Sequence, residues 1–418
     1  MDPKPKWAVL VYMAADTGAS FYQDAVDNIT QMTEAEFDER KVEVVVHADA
    51  PSPWLPKCWK VKSGTASELA RNCSHTSVLE FITDCVKHFP AENYLIVLWG
   101  HGEGIDWKQK ILANSPHGAN IIGAGKRLWA GSESALKVAE IGMTLKELHA
   151  EVEHLDLTLP KQKVVLGFDA CLMAMVEVYF EIHPYVTWAV AANDEIPDSG
   201  WPYKEILTLL GKDPGKRPED LATAIVDKCA EWYSDRNNKS AVSFSACNLS
   251  QKFSQALVDA VRELKTKMIE HLEASPKKAT EAITVARDFA EDLDEVAYVD
   301  LNAFCSELKK VAERQGLAKL VGAANEVVTA LKQFACKTSF SEYYPQKYTE
   351  DSRAVSICFP KARDLDGSVR GIEVNLEAYK GLQFNEATKW STFWKAYWDN
   401  SAKFNSARQE NRAFSARA

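Results

Sequence analysis

The sequence predicts an α/β protein built on a mainly parallel central sheet with helices on both faces, extended by a mostly helical C-terminal region. Three observations predict it. Short runs rich in Val, Ile and Tyr recur along the first half of the chain. Each is apolar at nearly every position, as suits a strand buried on both faces. Segments with helical spacing separate them, and alternating strand and helix is the pattern of a parallel sheet.

The expected strands are 8–14 (AVLVYMA), 42–48 (VEVVVHA), 94–99 (YLIVLW), 164–168 (VVLGF) and 188–192 (WAVAA). Helices are expected between them at about 20–31, 75–89, 142–154 and 171–182. From about 203 the character changes, and the segment GKDPGKRP at 211–218 punctuates the chain. Helical periodicity then dominates 218–335, with one strand-like run at 241–246. The expected organisation is therefore an α/β domain over 1–215 and a helical region over 216–418. That region is expected to return one strand, about 354–359, to the sheet and to end in an aromatic helix at 385–399. Trp390, Phe393, Trp394, Tyr397 and Trp398 fall mostly on one face of that helix, which reads as a helix packed on the core. A partner-docking face is the alternative.

The 418 residues allow two to four domains, at roughly 100–200 residues each. Apolar residues make up 46% and charged residues 26%, the balance of a soluble globular chain. The net charge of −10 argues against nucleic-acid and anionic-membrane partners, which need a basic surface. It favours a basic partner. Nine cysteines are scattered, with no CxxC pair, so a structural zinc site is not expected. Several lie in apolar runs, as reduced core cysteines do. No signal peptide or membrane span is visible, and the expected location is the cytoplasm.

Two strand ends carry residue types that do chemistry. The run ending at Trp99 stops at Gly100-His101-Gly102, a histidine on a sharply turning backbone. The run ending at Phe168 stops at Asp169-Ala170-Cys171, and a helical pattern follows. Ligands of parallel sheets bind beyond the C-terminal strand ends. A thiol at a strand-to-helix turn is expected to have a lowered pKa, because the helix N-terminus favours the thiolate. If the two strands are neighbours, His101 and Cys171 form a base and nucleophile for acyl transfer. The backbone N–H groups of Gly102 and Cys171 are then the natural oxyanion donors. His47 also lies near a strand end, has no apparent partner, and is read as structural.

The segments WAVLVYMAAD (7–16), WGHGEG (99–104) and GFDACLMAMVEVYF (167–180) resemble the clostripain-like cysteine peptidases, family C11. So do AANDEIPDSGWPY (191–203) and LQFNEATKWSTFWKAY (382–397). The resemblance implies a caspase-like fold, His101 as base, Cys171 as nucleophile, and cleavage after Arg or Lys. A monomer acting on protein or peptide substrates is expected, activated by self-cleavage in the 103–140 segment, with a regulatory protein as a further partner.

A basic P1 side chain calls for a carboxylate in the pocket. Asp169, two residues before Cys171, is the first candidate, since period-two alternation puts the two on one side. The family has an acid just before the Gly-Trp of the later loop; here Ser199 takes that place and Asp198 lies one residue early. Asp194 and Glu195 are nearby acids, Trp201 is a pocket wall or core packing, and Asp16 with Thr17 lines the cleft or caps a turn. The long segment 103–140 holds Lys126 and Arg127, which suit self-cleavage by an Arg/Lys-specific peptidase. No cofactor is expected. Some family members depend on calcium, but no EF-hand-type loop is present and the acidic run 291–295 reads as a solvated helix end. The rival is a non-proteolytic scaffold of the same fold that binds peptides or a partner protein.

Overall fold

The computed structural model describes residues 3–69, 77–102, 104–105, 135–136, 138–155, 157, 159–290, 297–345, 350–360 and 379–402. These fall into two compact units, one drawn from 3–251 and 335–345, the other from 252–334 and 350–402. No helix among the described residues is long and apolar enough to cross a membrane.

The strands, in chain order, begin with β1 (Trp7–Met13), β2 (Val42–Ala48), β3 (Lys57–Lys62), β4 (Thr65–Glu68) and β5 (Asn93–Trp99). Next come β6 (His101–Gly102), β7 (Ala135–Leu136), β8 (Val164–Asp169), β9 (Trp188–Ala192) and β10 (Ser243–Asn248). The last are β11 (Tyr298–Asp300), β12 (Ala335–Phe340) and β13 (Ser356–Cys358). Nine of them form one sheet in the first unit, in the order β12-β10-β9-β8-β5-β1-β2-β3-β4. The five central strands, β9, β8, β5, β1 and β2, run parallel. They are the five runs that were apolar at nearly every position, and each is buried along its full length. The flanking strands are antiparallel.

Helices cover both faces. On one lie α1 (Ala19–Thr33), α5 (Tyr203–Lys212) and α6 (Pro218–Ser234), whose apolar residues join Val9, Val11, Val44, Val46, Val97 and Val190 in one core. On the other lies α2 (Val78–His88), with Phe81 against Tyr12 at 5.9 Å between ring centroids. It neighbours α3 (Val138–His154), which in turn neighbours α4 (Val176–Ile182). Ser77 caps α2 by accepting the Glu80 N–H at 3.2 Å.

The arrangement departs from the sequence expectation in three places. The boundary expected at 215 falls inside the first unit, because α6, β10 and β12 all belong to the sheet and its core. The strand expected at 354–359 does not return to that sheet. Its 356–358 part pairs antiparallel with β11 in the second unit, and the chain's return to the nine-stranded sheet is made by β12. β12 carries no strand signal in the sequence because it reads ACKTSF, follows a helix directly, and is a partly exposed edge strand. The helix expected at 385–399 is broken. Lys389 adopts φ 54°, a left-handed conformation that stops the helix, and Asn385 Oδ1 accepts the Ser391 N–H beyond the break.

The second unit is helical: α7 (Gln251–Ala274), which belongs to it from Lys252 on, then α8 (Pro276–Phe289), α9 (Leu301–Gln315) and α10 (Ala318–Phe334). The C-terminal aromatics pack in its core. Phe359 makes edge contacts with Phe304, Trp390, Phe393 and Tyr397, and the Trp390 indole donates to the Cys358 carbonyl at 2.7 Å. The core-packing reading of that aromatic face is the one observed.

Candidate active site

β8 and β5 are adjacent and parallel, so the residues that follow them emerge at the same sheet edge. The last residues of four strands lie in one register row, Asp169 beside Trp99, Trp99 beside Met13, and Met13 beside Ala48. The ladder continues one step further, with Gly100 N–H donating to Asp169 O at 3.2 Å and Ala14 N–H to Trp99 O at 3.0 Å. His101 and Gly102 then pair with Ala135 and Leu136 in a separate parallel bridge.

Gly102 lies directly against Cys171. A Cβ on residue 102 would collide with the Cys171 carbonyl oxygen and come within 2.9 Å of its nitrogen and 3.0 Å of Ala170 Cβ. No other residue fits, and that is why the histidine is followed by glycine. The two backbones proposed as oxyanion donors therefore touch. His101 is exposed, and its ring stacks on Phe21 of α1, with centroids 4.2 Å apart and planes 8° apart. Phe21 in turn lies 4.4 Å from Trp99.

Cys171 is half-buried and engages one residue twice. Its Sγ accepts the Ile196 N–H at 3.3 Å, and the thiol donates to the Ile196 carbonyl at 3.5 Å. Burial pushes the Cys171 thiol up to about 11, with further upward push from Glu195, Asp198 and Asp169. This reverses the lowered pKa expected from a helix N-terminus. α4 starts only at Val176, and Leu172 takes a left-handed φ of 60°, so Cys171 sits in a turn ahead of the helix. A helix dipole acts only over the first turn and does not reach it.

Asp169 is the last residue of β8 and is buried. Its Oδ2 accepts the Trp201 N–H at 2.9 Å and the Tyr203 hydroxyl at 2.7 Å, whereas Oδ1 has no partner among the described residues. Burial raises its pKa to about 7 despite these two donors. The turn over it is fixed by Gly200, at φ 66°, where a Cβ would lie 2.7 Å from Asp169 Oδ2. Tyr233 donates to the Gly200 carbonyl at 2.6 Å, and Asn28 Nδ2 to the Ser199 carbonyl at 3.0 Å. Asp169 is thus the buried acceptor beneath the 197–203 turn, rather than an acid at a helix N-terminus. Asn28, Tyr203 and Tyr233 were not singled out in the sequence, since their roles depend on distant segments meeting here.

The remaining candidates divide. Ser199 is exposed and its hydroxyl lies 3.2 Å from Tyr233 Oη. Asp198 is exposed on the same turn. Trp201 is 1% exposed and packs its indole over Gly167, so it is core. Asp16 is half-buried just past β1, and Asp194 accepts the Glu195 N–H at 2.9 Å. Lys126, Arg127 and the 291–295 acidic run lie outside the described residues. Among the described residues no His, Cys, Asp and Glu cluster is placed to hold a metal.

His47 has partners after all. Its Nδ1 lies 3.3 Å from Cys58 Sγ and its Nε2 3.0 Å from Asp49 Oδ1, while Tyr12 donates to Asp49 Oδ2 at 2.8 Å and stacks on the imidazole. His47 is fully buried and Cys58 is 1% exposed.

The model of the clostripain family, C11 peptidases, matches residues 11–398. Among solved structures, the chain is similar to an inactive zymogen C11 protease from Parabacteroides distasonis, with a TM-score of 0.62 and 16% identity, covering 93% of this chain and 99% of that one. It is also similar to a secreted C11 cysteine protease from Bacteroides thetaiotaomicron in complex with an irreversible peptide inhibitor, with a TM-score of 0.59 and 18% identity, covering 92% and 99%. No curated protein matches the chain.

Proposed function

The chain belongs to the clostripain family of cysteine peptidases, and from that premise we propose that Cys171 is its nucleophile, His101 its general acid and base, and a basic side chain its P1 preference. The observation that carries the dyad is the contact of Gly102 with Cys171, which puts the His-Gly turn beside the thiol at one sheet edge. The Cys171 thiolate attacks the peptide carbonyl, with oxyanion charge received by the Gly102 and Cys171 N–H groups. His101 then protonates the leaving amine, and water hydrolyses the thioester.

Asp169 supports the basic preference. Its Oδ1 is a buried acceptor without a partner among the described residues, and a guanidinium or ammonium reaching it completes its hydrogen bonding. Asp198 is a second carboxylate on the turn above.

A latent resting form is part of the reading. The thiol is held as S–H against Ile196, and the imidazole rests on Phe21. The P. distasonis relative was solved as an inactive zymogen, which supports the same habit here. Cleavage at Lys126 or Arg127 is the proposed activating step. It fails if wild type and Cys171→Ala give the same bands on a denaturing gel after incubation.

The test of the whole reading is a peptide-library cleavage profile of wild type beside Cys171→Ala and Asp169→Ala, with labelling by a peptidyl-Arg chloromethyl ketone. Expected are Arg or Lys at P1, label on Cys171, and loss of P1 selectivity in Asp169→Ala. Absence of label on Cys171 after cleavage at Lys126–Arg127, with or without calcium, overturns it.

A further inference from the structure

Only four large apolar side chains are exposed among the described residues, and two of them, Trp54 at 49% and Leu55 at 76%, are consecutive. They lie between β2 and β3, in the loop that leaves the C-terminal end of β2. β2 is parallel to β1, β5 and β8, so this loop emerges at the same sheet edge as Cys171. Trp54 stacks on Tyr22 of α1, with centroids 5.6 Å apart and planes 22° apart. The residue before Tyr22 is Phe21, on which His101 rests. Consecutive residues of α1 thus carry two separate stacks, Phe21 under the proposed general acid and Tyr22 under an exposed tryptophan.

The strand order identifies what covers this surface. The strand order is β9, β8, β5, β1, β2. The turn over Asp169 follows β9, the thiol follows β8, and His101 follows β5. His101 must sit on the leaving-amine side of the scissile bond, since it delivers the proton to that nitrogen. The acyl half of the substrate then lies toward β9, and the half that leaves runs past β5 toward β1 and β2. Neighbouring strands are about 4.8 Å apart, so the β2 loop lies about 14 Å along the edge from β8. An extended peptide advances about 3.3 Å per residue, which brings its third or fourth residue beyond the cut over that loop.

We propose that Trp54 and Leu55, with Tyr22 beneath them, form a subsite for an apolar side chain at the third or fourth residue on the leaving side of the cleaved bond. The occupant is the substrate chain itself, because the β2 loop stands on the same sheet edge as the thiol, on the path of the half that leaves. Phe21 does double duty: it seats His101 and floors the first residues after the cut. The inference rests on the assignment of His101 and Cys171 made above. It adds a second selection, made after the cut, to the P1 selection made before it.

Three substrates test it, all with the same acyl side and the P1 residue that the cleavage profile selects. One ends in a coumarin amide and has no leaving-side residues. The other two are internally quenched peptides with Leu or with Ser at the third and fourth leaving-side positions. Wild type is expected to favour the Leu peptide over the Ser peptide in kcat/KM by about tenfold, the factor that burial of one aliphatic side chain gives. In Trp54→Ala/Leu55→Ala the preference disappears, and the ratio of Leu-peptide to coumarin rates falls by the same factor. Trp54→Phe retains most of the preference, which separates a lost contact from a misfolded loop. An unchanged Leu-to-Ser preference in the double variant overturns the subsite, as does an equal fall on all three substrates. Failure of the catalytic assignment reads differently. If wild type cleaves none of the three, anisotropy with the labelled Leu and Ser peptides on Cys171→Ala decides: tighter Leu binding that Trp54→Ala/Leu55→Ala removes supports the surface, and equal binding overturns it.

Discussion

Two strand ends of the same sheet each bring a cysteine to a histidine's neighbourhood, and they differ in the opposite sense to a naive reading. At the end of β2, His47 is bracketed by Cys58 at 3.3 Å and Asp49 at 3.0 Å, with Tyr12 on the far carboxylate oxygen. That is the hydrogen-bonded order of a Cys-His-Asp relay. At the ends of β5 and β8, the Cys171 side chain bonds only to Ile196 among the described residues, and His101 stacks on Phe21. Yet His47 is fully buried and Cys58 is 1% exposed, whereas His101 is open to solvent and Cys171 is half-buried. No substrate carbonyl can approach the first set. Its bonds satisfy polar atoms in a core, and burial pushes the Tyr12 phenol far above its ordinary range, which keeps it a donor to Asp49. Access at a strand-end cleft separates the two, and close geometry does not. Apo sites are loosely bonded as a rule and tighten with substrate.

The comparison breaks most sharply at the two cysteines. Cys171→Ala is expected to lower kcat/KM on a peptide amide by about a thousandfold or more, with Tm unchanged. Cys58→Ala is expected to leave kcat/KM within about twofold per folded molecule and to lower Tm by about 2–6 °C, since one buried bond to His47 is lost. If Cys58→Ala silences the enzyme at unchanged Tm, the buried set is the catalytic one and the assignment is wrong.

The next effect sharpens the catalytic end alone. In Gly102→Ala the added methyl meets the Cys171 carbonyl, so the two backbones must part. A shift of that order is expected to cost about a hundredfold in kcat/KM, because the proposed base and a proposed oxyanion donor both sit on the His-Gly turn. Far-UV circular dichroism and Tm should barely move. Activity equal to wild type would mean that residue 102 has no part in the oxyanion site.

How much of this was legible depends on how local the cause is. The five parallel strands were readable because double-sided burial writes an unbroken apolar run into the sequence, and the strand-end rule then pointed at His101 and Cys171. The fold class and the family stood. β12 was not legible, since an edge strand of mixed polarity carries no such run. The His47 set was not legible either: His47 meets Cys58 only through the β2–β3 register. Asp169 was found, but its setting was not. Tyr203 and the Trp201 N–H come from a turn 32 and more residues away, and the turn's pressure on Asp169 is a property of the folded core. The thiol was misjudged for a related reason, because helical periodicity near 171 does not show that Leu172 takes a left-handed turn first.

The smallest expected effect concerns pH, and it separates Asp169 from Asp49, the acid of the buried set. Asp169 titrates near 7 because burial disfavours its charge. A basic P1 residue needs the carboxylate, and kcat/KM reports the free enzyme. The ratio of kcat/KM for an Arg substrate to that for a neutral P1 substrate should therefore fall as pH drops below about 7, approaching tenfold per unit, while pH effects common to both substrates cancel in the ratio. Asp169→Asn should flatten the ratio across the range, and Asp49→Asn should leave it as in wild type. Stability moves the other way. A carboxyl whose pKa is higher folded than unfolded favours the native state most below the unfolded value, about 3.9, and that contribution is lost as pH rises through about 7. Above pH 7 wild type carries a buried charge that Asp169→Asn does not. The Tm difference between the two should then shift in favour of Asn between pH 5 and 8, and a difference independent of pH would mean that Asp169 is ionised throughout and that its burial is offset by its two donors.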